Sequence, residues 1–253
     1  MLIFNDFCVI LKPMLEKSHA IVLHTLKYGD QKVVVEMFTR TWGRLSFIVT
    51  LPKSAKSPFR KQYFQPMTVL EVECDVRPRV ALQKLHDVRL LVPYTTIPLS
   101  PAKLSITLFI AEFLYYALRS EQRNEQLFDY IMDSMQWLDA APSHYANFHL
   151  TFLMRLSRFL GFYPNMETER VCFFDLREGL FTSTVPTHQD YLAPAEARMI
   201  HLLMRMDYPT MHLFQLSQQD RGRILDVLMR YYKLHLPDFP DLRSLAVLHQ
   251  LWT

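Results

Sequence analysis

The sequence predicts an α+β chain in which a small five-stranded barrel precedes an all-helical domain carrying a small irregular or hairpin insertion. Three observations lead there. Short runs rich in β-branched residues fill the front of the chain, the apolar spacing lengthens to a helical period after Ser100, and that period fails between Pro164 and Pro194.

The strands come first. Residues 20–26 (AIVLHTL) form an extended apolar run, and Tyr28-Gly29-Asp30 turns the chain. Residues 32–38 (KVVVEMF) follow, Trp42-Gly43-Arg44 punctuates, and residues 45–49 (LSFIV) resume in extended form. Residues 67–73 (MTVLEVE) alternate apolar and polar, as a half-buried strand must when successive side chains point to opposite faces. Arg77 and Arg79 flank a proline turn into residues 80–90. Five short strands in so little chain suit closure into an oligonucleotide-binding (OB-fold) barrel better than an open sheet.

Ser100 and Pro101 open the first helix as N-cap and first helical residue. Its apolar positions Leu104, Leu108, Ala111, Phe113, Leu114 and Leu118 predict deep burial. Residues 127–138 and 148–160 read as two more helices, the latter closed by Gly161 with Pro164 beyond. Residues 195–206 form a fourth, and Ser217 with Asp220 marks a capping box for a fifth that runs to about Leu234. Cys172-Phe173-Phe174 and Gly179-Leu180-Phe181 are the two sides of the expected hairpin. Residues 14–93 are thus assigned to the barrel and 94–253 to the helical domain, with the insertion at about 164–194. Residues 1–13 read as an extension upstream of the natural start.

Composition narrows the function classes. The net charge of +3 hides an asymmetry: residues 14–90 hold 13 Lys and Arg against 7 Asp and Glu, whereas residues 91–253 hold 14 against 17. No apolar run nears the roughly 20 residues that cross a bilayer, and no signal peptide is evident, so a cytoplasmic, nucleoid-associated location is expected. Cys8, Cys74 and Cys172 are odd in number and far apart, which fits neither a disulfide framework nor a zinc knuckle. The histidines form no metal-binding spacing, the five glycines make no phosphate loop, and no nucleophile elbow occurs. Asp129 and Asp133 stand one helical turn apart and read as a solvated face rather than a metal site. No catalytic residue, metal or cofactor is therefore expected.

The sharpest signal is a stretch without a single carboxylate, residues 37–70. It holds Arg40, Arg44, Lys53, Lys56, Arg60 and Lys61, interleaved with Trp42, Phe47, Phe59, Tyr63 and Phe64. Cations that follow a phosphate backbone beside rings that stack on bases are what single-strand binders combine. A solvated charge run and core aromatics are the plainer alternative for the same residues.

In order and spacing the chain resembles the bacterial recombination mediator family RecO over nearly its whole length from Met14. The resemblance rests on residues 20–23 with Tyr28-Gly29-Asp30, residues 37–44 (MFTRTWGR), the Lys/Ser loop and residues 64–71 (FQPMTVLE). It continues through the helix end 152–162 (FLMRLSRFLGF) and the closing segments 235–239 and 242–245. It implies an OB-fold barrel and a helical domain that bind single- and double-stranded DNA and anneal complementary strands. It further implies work with RecR to help RecA displace single-strand-binding protein (SSB), whose acidic C-terminal tail the family grips. Arg40, Arg44, Lys53, Lys56, Arg60 and Lys61 would be the DNA contacts, with Tyr63 beside them.

Two departures stand out. Many family members carry a four-cysteine zinc site after the Leu-Gly-aromatic helix, where this chain keeps only Cys172, so no structural zinc is expected. The arginine some members offer the SSB tail corresponds to Leu150, with Arg155 or Arg158 as possible substitutes. The rival to a DNA-binding mediator is a protein-interaction adaptor that binds partner tails through its helical domain. A metal-dependent nuclease finds no ligand motif to rest on.

Overall fold

The computed structural model describes residues 15–51, 59–77, 79–165 and 173–250. Five strands, β1 (Glu16–Lys27), β2 (Lys32–Thr39), β3 (Gly43–Thr50), β4 (Val69–Cys74) and β5 (Leu82–Val92), close into a barrel of order β1-β2-β3-β5-β4. All pairs are antiparallel except β3 with β5. The interior is filled by alternate residues, among them Ala20, Val22, Val35, Met37, Phe47, Val49, Leu70 and Val72. Strict alternation then obliges Val34, Glu36, Phe38, Arg44, Ser46 and Ile48 to point outward. A bulge between Val22 and His24 shifts β1 by one residue, which turns His24 and Leu26 to the outside beside Glu36 and Val34.

The helices are α1 (Pro101–Ala117), α2 (Glu125–Ala140), α3 (Phe148–Phe159), α4 (Pro194–Met204), α5 (Gln218–His235) and α6 (Ser244–Gln250). Ser100 accepts the Lys103 N–H as N-cap of α1, and Ser217 with Asp220 forms a reciprocal capping box on α5. Gly161 takes the left-handed conformation that ends α3.

The predicted hairpin forms from β6 (Phe173–Asp175) and β7 (Leu180–Thr182), and β8 (Tyr191–Leu192) adds a third strand. Buried Phe174 packs on Phe181 and Tyr231 at centroid distances of 4.8 and 5.7 Å. Around them Asp175 meets His188 at 3.0 Å, and Asp190 holds Arg177 and Arg230 at 2.7 Å each. Cys172 lies outside the described residues. Among the described residues no group of three metal-ligating side chains comes together.

The stripe expected on α1 is out of phase at its start. Leu104 and Leu108 are 40% and 44% exposed, while Ile106, Phe109, Ile110, Phe113 and Leu114 are buried. The helix rests its other side on the helical core, so the leucines that looked like a core row face outward.

Barrel and helices share one core. Ile21, Leu23, Phe38, Met67 and Val69, all on the outside of the barrel, belong to the same apolar cluster as α1, α2 and α3. At the linker, the Asp139 carboxylate accepts the backbone N–H groups of Thr95, Thr96 and Ile97 at 2.8, 2.8 and 2.7 Å. Lys103 Nζ donates to the Asp139 carbonyl at 2.9 Å and to Thr96 Oγ1 at 2.7 Å.

Candidate nucleic-acid interface

The register of the barrel builds an outward sheet face in rows. His24 and Glu36, Ser46, and Leu82 form one row, and Leu26 and Val34, Ile48, and Lys84 form the next. Lys32 opposite Thr50 ends the face. The far row, Phe38 opposite Arg44, is covered: the ring of Phe38 lies 6.1 Å from that of Phe128 on α2. One end of the face is therefore roofed by helices, while the end bearing Leu26, Val34, Ile48, Lys32 and Lys84 is open.

This covering decides the fate of the first two predicted DNA contacts. Arg40 donates from Nε and Nη2 to Asp129 at 3.0 and 3.1 Å, and its Nη1 meets Glu125 at 2.8 Å. The hydrogen bond to Asp129 holds the guanidinium above its usual range, and the same bond holds Asp129 below the usual carboxylate range. Asp129, half of the acidic pair noted in the sequence, is thus an interdomain counter-ion. Arg44 is more deeply committed: its side chain is 12% exposed. It meets Glu36 at 3.2 Å, donates to the Tyr115 carbonyl, and lies 4.7 Å from the Tyr115 ring centre. Both arginines join barrel to helices, so neither presents a free charge to a ligand in this conformation.

The remaining predicted cations differ. Lys53 and Lys56 lie outside the described residues. Arg60 and Lys61 are exposed, and the Arg60 guanidinium sits 5.9 Å from the Tyr63 ring centre. Three further lysines converge on them: Lys27 at the end of β1, Lys32 at the start of β2, and Lys84 on β5. Among the described residues none of Lys27, Lys32, Arg60, Lys61 and Lys84 forms an ion pair. Sequence reasoning missed these lysines because they lie outside the acid-free interval. The signal that could have found them was a lysine at or near one end of each of three strands, at the end of β1, the start of β2 and near the start of β5.

Two grooves meet at Lys32. One, of about 770 Å³, is lined by His24, Lys27, Gln31, Lys61 and Gln65, with Asp30 its only carboxylate among the described residues. The other, of about 450 Å³, lies between Ile48, Thr50, Phe59 and Lys84. The aromatics divide as well. Phe47 and Phe64 are barrel core, and half-buried Trp42 packs at the barrel with Nε1 donating to Glu16 at 3.3 Å. Phe59 is half-buried at the groove, Tyr63 is half-buried against the barrel core, and Leu26 and Tyr28 are each 58% exposed.

The chain matches the family model "Recombination protein O N terminal" over residues 14–94 and "Recombination protein O C terminal" over residues 98–246. The chain belongs to the RecO family. A DNA repair protein RecO from Phocaeicola vulgatus is 49% identical over 241 residues, covering 95% of this chain and 100% of the relative. The same comparison gives 33% identity with the protein of that name from Azobacteroides pseudotrichonymphae, covering 94% and 100%, and 31% with that from Flavobacterium psychrophilum, covering 94% and 99%. As a RecO family member with this barrel, the chain has its role in DNA repair and recombination.

The three residues assigned to partner binding are also placed. Leu150 is fully buried in α3 and cannot meet a partner's tail without the core opening. That position serves packing instead. Arg155 donates to the Met206 carbonyl at 3.3 Å and lies 3.9 Å from Asp207, while Arg158 covers the ring of Tyr163 at 4.3 Å. The methionine-rich end of α4 is core too, with Ile200, Leu203 and Met206 each 1% exposed. Cys74 lies inside the barrel, where burial pushes its thiol up to about 12. Among the described residues no helix is long and apolar enough to cross a membrane.

Proposed function

We propose that this RecO family member is a DNA-binding and strand-annealing mediator that makes and breaks no covalent bond. It would help load RecA onto SSB-coated single strands together with RecR, contact the SSB tail, and act in the cytoplasm at the nucleoid. The observation that carries the reading is the open barrel face: Leu26, Val34 and Ile48 beside Lys27, Lys32, Arg60, Lys61 and Lys84, with no carboxylate paired to any of these cations among the described residues. Lys53 and Lys56 extend the same charge in sequence. Apolar and aromatic surface accepts bases without regard to sequence, while the cations screen phosphate from phosphate, so two complementary strands can approach. Annealing requires that screening and loose stacking, and no chemistry. Single- and double-stranded DNA share the phosphate term, so both are expected ligands.

The test is fluorescence anisotropy of a labelled single strand over a salt series. Each phosphate neutralised on a single strand contributes about −0.7 to the log–log slope, so Lys32→Ala, Lys61→Ala and Lys84→Ala together should make it shallower by about 2. An unchanged slope refutes this face as the binding surface. A partner-binding adaptor role draws on one specific feature, the exposed row of Leu99, Leu104 and Leu108. Capture of an acidic, Phe-ended SSB-tail peptide that is lost in Leu104→Ser/Leu108→Ser, with DNA binding indifferent to salt, would favour it.

A further inference from the structure

We infer that a single strand leaving the barrel face continues onto the helical domain along a track of rings and a cation at the end of α1. The inference rests on the DNA-binding reading of the barrel and extends it past the domain boundary.

The track starts at Leu26, whose neighbour but one on the same outward face of β1 is His24. The His24 ring lies 4.8 Å from that of Tyr115 on α1. Tyr115 in turn meets Tyr116 edge-on at 4.9 Å, and the Arg119 guanidinium sits 4.7 Å from the Tyr116 ring centre. From His24 to Arg119 successive centres lie 4.8, 4.9 and 4.7 Å apart, so the path from strand to helix has no gap along that length.

These residues are also accessible. His24 and Arg119 are exposed and the two tyrosines are half-buried. Neither tyrosine hydroxyl has a hydrogen-bond partner among the described residues, and neither is among the buried unsatisfied atoms. Tyr115 already carries the Arg44 guanidinium 4.7 Å from its ring centre, so Tyr116, with its hydroxyl idle, is the ring suited to stacking, at low entropic cost.

Charge selects the occupant. Arg119 makes no ion pair among the described residues. Of the acids nearby, Glu36 is ion-paired with Arg44, Glu112 accepts the backbone N–H groups of Arg243 and Ser244, and Glu121 accepts from the Asn124 side chain. An unpaired guanidinium over an accessible ring is the pairing that holds a single-stranded nucleic acid, and it continues the surface proposed on the barrel.

The experiment compares strands of two lengths, about 6 and about 20 nucleotides, because one OB-fold covers about 4 to 16. The full chain and Tyr116→Leu/Arg119→Ala are titrated with each. Losing a stacking ring and its cation should weaken the long strand about tenfold and leave the short one unchanged. Equal binding of both lengths by variant and wild type overturns the track, and the barrel reading stands provided Lys32→Ala/Lys84→Ala still weakens both lengths. Should that barrel variant lose nothing either, the underlying reading falls with it. Photo-crosslinking of an iodouracil-substituted strand to the unaltered chain is independent of how the variant folds. Adducts on Tyr115 or Tyr116 support the track; adducts confined to the barrel, or displacement by an acidic peptide but not by a longer strand, overturn it.

Discussion

Replacing Asp139 with alanine should destabilise the protein without changing how it holds DNA. Its carboxylate gathers three consecutive backbone N–H groups of the linker within 2.8 Å, and also accepts from the Thr95 hydroxyl at 3.1 Å. A hydrogen bond to a charged acceptor contributes about 1.5–3 kcal/mol, and a buried donor left unsatisfied costs about 1–3. Thr95 and Thr96 are exposed and their amides can turn to water, whereas Ile97 is buried and cannot. We therefore expect Asp139→Ala to lose about 3–4 kcal/mol, and Asp139→Asn, which keeps one acceptor, about 2. For a chain of this size that is a fall in Tm of about 10 °C for the alanine variant. Urea unfolding followed by tryptophan fluorescence measures the first figure, calorimetry the second. Burial pushes the Asp139 carboxyl upward, but the linker N–H groups outweigh it and hold it below the usual range. A depressed folded pKa gives stability that is fully present above the unfolded value near 3.9 and is lost as pH falls through the folded value. The wild type should thus lose more stability than Asp139→Asn below about pH 4. A loss under about 1 kcal/mol for Asp139→Ala, or an acid limb identical in the two proteins, would refute the linker cage as a stabilising element.

Further predictions address the domain boundary and the core. Arg44→Ala strands the Glu36 carboxylate and the Tyr115 carbonyl, and should lower stability by about 2–3 kcal/mol while leaving the salt slope of DNA binding intact; a shallower slope would return Arg44 to the phosphate contacts. Arg40→Ala should likewise leave that slope unchanged, measured in the same titration, because its charge is already met by Asp129 and Glu125. Gly43→Ala would drive a Cβ into the Gln122 backbone at a φ of +75°, so a loss of about 2–4 kcal/mol and a Tm drop are expected, and a neutral outcome would mean the α1–α2 loop yields. His149 is fully buried, and burial, with Arg221 and His249 nearby, lowers its pKa to about 3. Its neutral form is stabilising above the unfolded pKa near 6.5, and stability should fall by about 1.4 kcal/mol per pH unit below that value. His149→Leu should flatten this limb in pH-dependent denaturation.

Much of the fold was legible because its signals are local. Period-2 alternation marked residues 67–73 as a strand, which is observed as β4 from Val69 because Met67 takes a positive φ; Ser100-Pro101 started α1, Ser217 with Asp220 started α5, and Gly161 ended α3, each through backbone sterics or a bond within a few residues. The start of α1 was misjudged at Leu104 and Leu108 because a helix with apolar residues on several sides does not say which side its neighbours cover. The short strand β8 and helix α6 were not foreseen, since two residues against a hairpin and seven against α1 are held by their partners rather than by their own pattern. Leu150 stands where some family members carry an arginine and is core by packing.

The candidate site divides along the same line. By itself the sequence determined that the front of the chain is a basic barrel, and that Arg60 and Lys61 stand in a segment free of acids. Only the tertiary structure decided which charges are spent. Asp129 and Glu125 lie far along the chain from Arg40 yet reach it within hydrogen-bond distance, while Lys27, Lys32 and Lys84 are scattered in sequence and gathered by the barrel's closure. The physical reason is that backbone conformation is set by neighbours along the chain, whereas electrostatic pairing depends on distance through space, which no local pattern encodes.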